Sequence, residues 1–419
     1  MNNYTRVLDD FFKYHLTYTR LLKQNRCIVL FFLQKEILMY SLGKKFEEIS
    51  RQVKASFLIE LPNSECIKVG EQTDVPIKVN IKTDRGLRAL LSNRELEISE
   101  AYIYGHIDLD KKVDMLNLIK IKNIFMNTSP MVRRLIQAAS ILFNNQVAMN
   151  KKNIAKHYEF DHDFYLMFLD KTRAYSHGIF IQDHEPQEEA SHRKLKFAMD
   201  SCHLSAGKRV LDVGAGWGDT VEYLGDKGIF VDAVTIADQS FHFVSNLIHE
   251  KNLLNCRVLK KDFLEHEVSE DKQYDAIFSL GTLEHLPNYS LVLKKCAALL
   301  KKGGYAYFDA SASSHHKPTN SDFIEHHIFP GNHVLLDIFR FLDAVKKSAF
   351  NLVALYNDTH NYYLTLKGWA ERLDLHKDEI ISRWGEVHYR KFQLYLWGCC
   401  YGMQNNELNA YRVVLQKYK

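Results

Sequence analysis

Lys208-Arg-Val-Leu-Asp-Val-Gly-Ala-Gly-Trp-Gly218 is an apolar run broken by three glycines, and its reading decides the fold. Residues 210–213 have the length and apolar character of a short buried strand, and Gly214, Gly216 and Gly218 interrupt it where a helix is due to begin. Glycine has no Cβ and tolerates positive φ, so a turn of this kind lets the main chain come close to a ligand. G-x-G spacing also serves dinucleotide sites and plain tight corners. The pieces that follow therefore carry the decision.

A helix is predicted over 219–227, a strand over 229–235 and the start of another helix at 236–240. A third strand over 257–259 ends at Lys261-Asp262-Phe263, and a fourth over 274–280 runs into Gly281-Thr-Leu-Glu-His285. Alternating strands and helices predict an α/β domain with an open, mostly parallel sheet, whose ligand lies beyond the carboxyl ends of the strands. Asp212, Thr235, Gln239, Asp262 and Glu284 fall near such ends. A ribose-binding dinucleotide fold would close its second strand with an acid, but Thr235-Ile236 stands there. The order of pieces, with Asp275-Ala-Ile-Phe-Ser-Leu-Gly-Thr-Leu-Glu-His285, resembles Rossmann-like S-adenosylmethionine-dependent methyltransferases.

A length of 419 residues suggests more than one domain. The expected division is a helical extension over 1–54, a small α+β domain over 55–135 and a methyltransferase domain over 136–419, with an insertion near 313–356. The formal charge of +4 does not by itself imply nucleic acid. Residues 1–56 hold ten Lys or Arg against five Asp or Glu, a local +5 that leaves the remainder at −1. Basic charge beside apolar surface suits an anionic membrane face, and a solvated helical hairpin is the plainer alternative. The apolar run 27–33 is far shorter than the ~20 residues a membrane span needs. Seven scattered cysteines without a C-x-x-C pair argue for reduced thiols and against a zinc site. A cytoplasmic protein, in contact at most with the inner membrane face, is expected.

Residues 4–52 carry helical spacing, and their apolar face is expected in the core or against a second subunit, as in a homodimer. Short β-like runs at 56–61, 67–69 and 77–81 follow, then helical segments at 87–91 and 116–121. Ser99-Glu-Ala-Tyr-Ile-Tyr-Gly-His-Ile-Asp108 resembles the signature that ends the small N-terminal domain of cyclopropane fatty acid synthases, though without its tryptophan. His157-Tyr-Glu-Phe-Asp-His-Asp-Phe-Tyr165 and Phe168-Leu-Asp-Lys-Thr-Arg-Ala-Tyr-Ser176 resemble the segment of that family that lies across the cofactor. The resemblance continues through Leu283-Glu-His285 and 328–331 and into 389–415.

The resemblance implies S-adenosylmethionine as cofactor. Tyr175 and Ser176 would meet its methionine part, with Asp212, Gly214 and Gly216 beside it. Thr235, Ile236 and Gln239 would lie along ribose and adenine, and Asp262 and Phe263 would flank the adenine. In the family a bicarbonate ion held by Cys, Glu, His, Tyr and an Ile backbone serves as base. Glu284 and Tyr362 match the Glu and Tyr. His177 replaces the Cys, and Asp309 and Ser311 stand where the His and Ile would be. A carboxylate in place of a histidine disfavours an anion, so His177 paired with Asp309 or Glu284 is expected to act as a protein-supplied base. His315 or His316 is the alternative. His285 is either an amine-handling base, as its Glu-His pair suggests in related plant alkaloid N-methyltransferases, or an orienting group for Glu284.

The insertion is expected to cover the acceptor, with an apolar helix over 334–342 lining its pocket. Its histidine pairs lack the accompanying ligands of a metal site, so no metal is expected. Phe323, Phe329, Phe339, Phe341, Tyr356, Tyr362 and Tyr363 suit an acyl chain or a developing cation. The expected activity is C-methylation of an unsaturated acyl lipid, giving a cyclopropane or a methyl branch. A methyltransferase for a soluble specialised metabolite, acting at carbon or nitrogen, and a non-catalytic lipid-binding relative are the alternatives.

Overall fold

The computed structural model describes residues 40–52, 54–70, 77–92, 94–109, 115–125, 160–314, 321–330 and 334–418. Most of the predicted N-terminal hairpin, motif residues 157–159, and His315 and His316 lie outside these. By proximity along the backbone the chain divides into two units, one holding residues up to 113 and the other nearly everything after 126.

In the first unit, β1 (Phe57–Glu60), β2 (Cys66–Val69), β3 (Ile77–Ile81) and β4 (Ile107–Leu109) form one sheet in the order β2-β1-β3-β4. Only β1 and β3 are parallel. Phe57 and Ile59 alternate inward, the period-two pattern of a strand with one covered face. Residues 40–52 are helical and bury Leu42, Phe46 and Ile49, one stripe at helical spacing. Phe46 meets Phe57 edge to face, with ring centroids 5.2 Å apart.

The second unit is built on β5 (Arg209–Val213), β6 (Phe230–Thr235), β7 (Cys256–Lys260), β8 (Tyr274–Leu280), β9 (Leu300–Ser313), β10 (Phe350–Asn357) and β11 (Leu408–Lys417), in the order β10-β11-β9-β8-β5-β6-β7. The five strands from β7 to β9 are mutually parallel. β11 is antiparallel to both of its neighbours. Leu211 and Val213 enter a core with Ile277, Phe308 and Val413, whereas Val210 enters another with Ala276, Phe278 and Tyr307. Burial on both faces is why a parallel strand reads as an unbroken apolar run. Neighbours of β5 lead away in opposite directions, β6 to one side and β8 to the other, and such a switch point opens a crevice at the carboxyl ends.

Two boundaries differ from expectation. The helix predicted over 219–227 ends at Gly225, where the chain turns through Gly228 at φ +73° and Ile229 N–H donates to the Leu224 carbonyl. The insertion predicted over 313–356 takes in β10, a full member of the sheet. The apolar helix inside it is Ile338–Lys346 rather than 334–342, because Asp337 caps it by accepting from Phe339 and Arg340 N–H. Phe341 packs on Phe308 at 5.5 Å in the core and Phe339 faces solvent, so this helix supports the sheet. Among the described residues no helix is long and apolar enough to cross a membrane.

Candidate active site

The glycine turn stands at the carboxyl end of β5. Gly214 has φ +89°, and a Cβ there would lie 2.2 Å from Thr282 Cγ2, so only glycine fits. The turn is held from two sides: Thr282 Oγ1 donates to the Val213 carbonyl (3.0 Å) and Ser240 Oγ to that of Gly216 (2.8 Å). Tyr175, Ser176, Asp212, Gly214, Gly216, Thr235, Ile236, Asp262 and Phe263 all line one cleft here, and His285 lines it too. Gln239 does not. Ser240 takes its place, since successive helical residues point about 100° apart.

The cleft is acidic at one wall. Burial pushes the Asp212 carboxyl well above the usual range; Asp219 adds to this and Lys194 opposes it. Burial likewise raises Asp219. Lys194, absent from the sequence expectations, is fully buried. Its Nζ donates to Ser176 Oγ at 2.6 Å and lies 3.9 Å from Asp219. Its position at helical spacing after Ala190 and Ser191 gave no sequence signal beyond an apolar face interrupted by one charge.

The segment after Ser176 is clamped to the helix Thr359–Leu375. His177 Nε2 is 3.0 Å from Asp358 Oδ2, Gly178 N–H donates to Thr365 Oγ1 (3.1 Å) and Phe180 N–H to Asn361 Oδ1 (2.9 Å). The expected partner of His177 was Asp309 or Glu284; Asp358 takes that place, because this clamp draws the imidazole towards the helix terminus. Burial works against the Asp358 charge, yet the His177 hydrogen bond and the Arg412 charge hold its carboxyl below the usual range. Arg412 Nε is 2.5 Å from Asp358 Oδ2, an ion pair without hydrogen-bond alignment. Its guanidinium lies between the Phe197 and Tyr356 rings, at 4.4 and 4.7 Å. The Tyr362 ring is 5.1 Å from that of His177.

Glu284 sits in the short turn Leu283–His285 after β8, 3% exposed. Its Oε1 accepts from Ser311 N–H and from Ser311 Oγ, each at 2.7 Å. Its Oε2 is buried and, among the described residues, has no hydrogen-bond partner. Burial pushes this carboxyl up to about 7, with Ser311 opposing and Asp309 contributing. Asp309, two residues before Ser311 and on the same face of β9, accepts from Gly281 N–H at 2.7 Å through Oδ1, and its buried Oδ2 has no hydrogen-bond partner among the described residues. His285, also buried, places its ring 5.8 Å from that of Phe329.

A methyl donor with a methionyl ammonium fits this cleft: the Gly214 cradle would be filled by any Cβ, and the Asp212 and Asp219 carboxyls can ionise against a bound cation. A bicarbonate ion does not fit beside Glu284. The Ser311 N–H and Oγ that would hold it already serve Glu284, and Asp309, a carboxyl, stands where the resemblance would put a histidine donor.

The strand order, the glycine turn and the acidic cleft define a Rossmann-like S-adenosylmethionine-dependent methyltransferase. The chain is 27% identical over 264 residues to cyclopropane mycolic acid synthase 1 of Mycobacterium tuberculosis, covering 59% of this chain and 90% of that protein. It is 25% identical over 348 residues to the cyclopropane-fatty-acyl-phospholipid synthase of Escherichia coli, covering 82% and 88%. The solved cyclopropane synthase MmaA2 of M. tuberculosis superposes with TM-score 0.60 at 25% identity, over 64% of this chain and 98% of that one. The chain belongs to the mycolic acid cyclopropane synthetase family, whose model matches residues 145–413.

Proposed function

We propose that this methyltransferase acts on the double bond of an unsaturated fatty acyl chain, carried in phospholipid, and adds a one-carbon bridge or branch. Bound in the cleft, S-adenosylmethionine supplies an electrophilic methyl group. Lys194 holds Ser176 and balances Asp212 and Asp219, and the Gly214 turn lets the main chain approach. Attack by an alkene leaves a positive charge on the acceptor, which needs electron-rich walls rather than hydrogen-bonding ones.

The observation that carries this reading is the aromatic lattice beside the cleft. Tyr175, which lines it, packs on Tyr165 at 5.5 Å and on Trp369 at 5.3 Å, and Tyr362 meets Trp369 at 6.3 Å. Ring faces stabilise a nearby cation by up to about 2 kcal/mol when water is excluded. A phospholipid acceptor would be met at the inner membrane face by peripheral contact. Expression in cells rich in monounsaturated lipids, fed methyl-labelled methionine, should yield acyl chains longer by one labelled carbon in whole-lipid mass spectrometry. Unchanged lipids would overturn the acyl reading.

One observation favours a second acceptor class. The unpaired oxygens of Glu284 and Asp309 also suit the cation of an amine, and methylation of a soluble amine with unchanged lipids would support it.

A further inference from the structure

Two buried carboxyl groups, Glu284 beside the cleft-lining His285 and Asp309 bonded to the cleft-lining Gly281, each keep one oxygen out of every hydrogen bond formed among the described residues. Leaving a buried acceptor unpaired costs about 1–3 kcal/mol, and such a cost is most easily understood where the reaction itself supplies the partner. Glu284 is the better placed of the two. Ser311 fixes Oε1 by two hydrogen bonds, so the carboxyl cannot rotate and Oε2 is presented in one direction. Asp309 is tied to Gly281 N–H, and Gly281 and His285 both line the cofactor cleft. The donors that would hold a small anion are consumed by Glu284 itself.

We propose that Glu284 is the base of this reaction, taking a proton directly through Oε2 with no bound anion in between. The proposal rests on the acyl reading above. After methyl transfer the acceptor carries a positive carbon beside the new methyl group. A methyl C–H bond breaks, its electron pair forms the second C–C bond and closes the three-membered ring, and the proton passes to Glu284 Oε2, later to be released to water. Asp309, two residues from Ser311 along β9, repels anions from this corner and keeps Glu284 basic. The other ionisable groups facing the pair are Tyr289 and His285 on the β8 side, and Tyr307 and Arg412 on β9 and β11. A group titrating near neutral pH suits such a base, since it is both substantially ionised and strong enough to take the proton.

The test has a readout that needs neither cofactor nor acceptor. Infrared difference spectra of the full-length protein between pH 5 and 9 should show a buried carboxylic acid titrating near 7 that disappears in Glu284→Gln, while the signals of the raised Asp212 and Asp219 remain. A carboxyl already ionised at pH 5 overturns the proposal. With donor and monounsaturated phospholipid vesicles, wild-type turnover should be the same in carbon-dioxide-depleted buffer and in buffer with added bicarbonate. Glu284→Gln should still bind S-adenosylhomocysteine within a factor of a few and lose about 100-fold or more in ring formation. Stimulation of wild type by bicarbonate, or rescue of the variant by it, overturns the assignment, because Glu284 would then be holding an ion. If wild-type protein methylates no lipid at all, the acyl reading fails, and the infrared titration still decides the state of the carboxyl.

Discussion

Glu284 should make folding stability depend on pH in the sense opposite to an ion-paired carboxylate. The unfolded chain releases this proton near 4.5, whereas the folded chain keeps it up to about 7. Between those values the native state binds more protons than the unfolded one, so stability falls as pH rises. The contribution is fully present below about pH 4.5 and gone above about pH 7, and it amounts to about 3 kcal/mol. Glu284→Gln lacks it. Wild type minus variant, the unfolding free energy should therefore drop by about 3 kcal/mol between roughly pH 4.5 and 7.5. Urea unfolding followed by tryptophan fluorescence measures this in the larger unit alone, since Trp217, Trp369, Trp384 and Trp397 all belong to it. Subtraction of the variant removes the other titrating groups. A difference that stays flat, or grows with pH, would refute burial as the control on this carboxyl.

Gly214→Ala must displace Thr282 from its hold on the turn, and affinity for S-adenosylhomocysteine should weaken at least about tenfold by calorimetry, near 1.4 kcal/mol. His177→Ala removes a hydrogen-bond partner of the buried Asp358 carboxyl and should lower stability by about 1–3 kcal/mol in denaturant unfolding. Combined with Asp358→Asn, the loss should fall short of the sum of the two single losses, because both act in one network. The raised Asp212 carboxyl must ionise to pair with the donor's ammonium, so affinity should climb with pH in wild type and lie flat in Asp212→Asn. Calorimetry in buffers of different ionisation heat would count the proton released, and no release would remove Asp212 from cofactor binding.

The central sheet was legible because its signals are local. The run 208–218 holds a strand and its turn within one stretch, and Thr235, Asp262 and Glu284 each lie at or within a few residues of the carboxyl end of a strand. Nine of ten residues expected at the cofactor line one cleft, and the miss, Gln239, is off by a single helical position. The charged network was not legible. His177 and Asp358 are 181 positions apart, and Arg412 joins them from the last strand described. Asp358 in sequence is an acid ahead of a helix, which reads as an ordinary start signal. The insertion was misjudged at its far end because β10 exposes Leu352, Val353 and Leu355 along an edge, so its residues lack the alternation that marks a strand.

The position of β11 sets an order of assembly. Among the described residues β10 pairs only with β11, and β11 alone joins it to β9, so residues 350–357 stay without a strand partner until the chain has been made through residues 408–417. Arg412 arrives on that same strand. On the ribosome, the ligand cleft could take shape from the earlier parallel strands while Asp358 still waited for its countercharge, leaving the helix that grips Ser176's neighbours the last piece to settle.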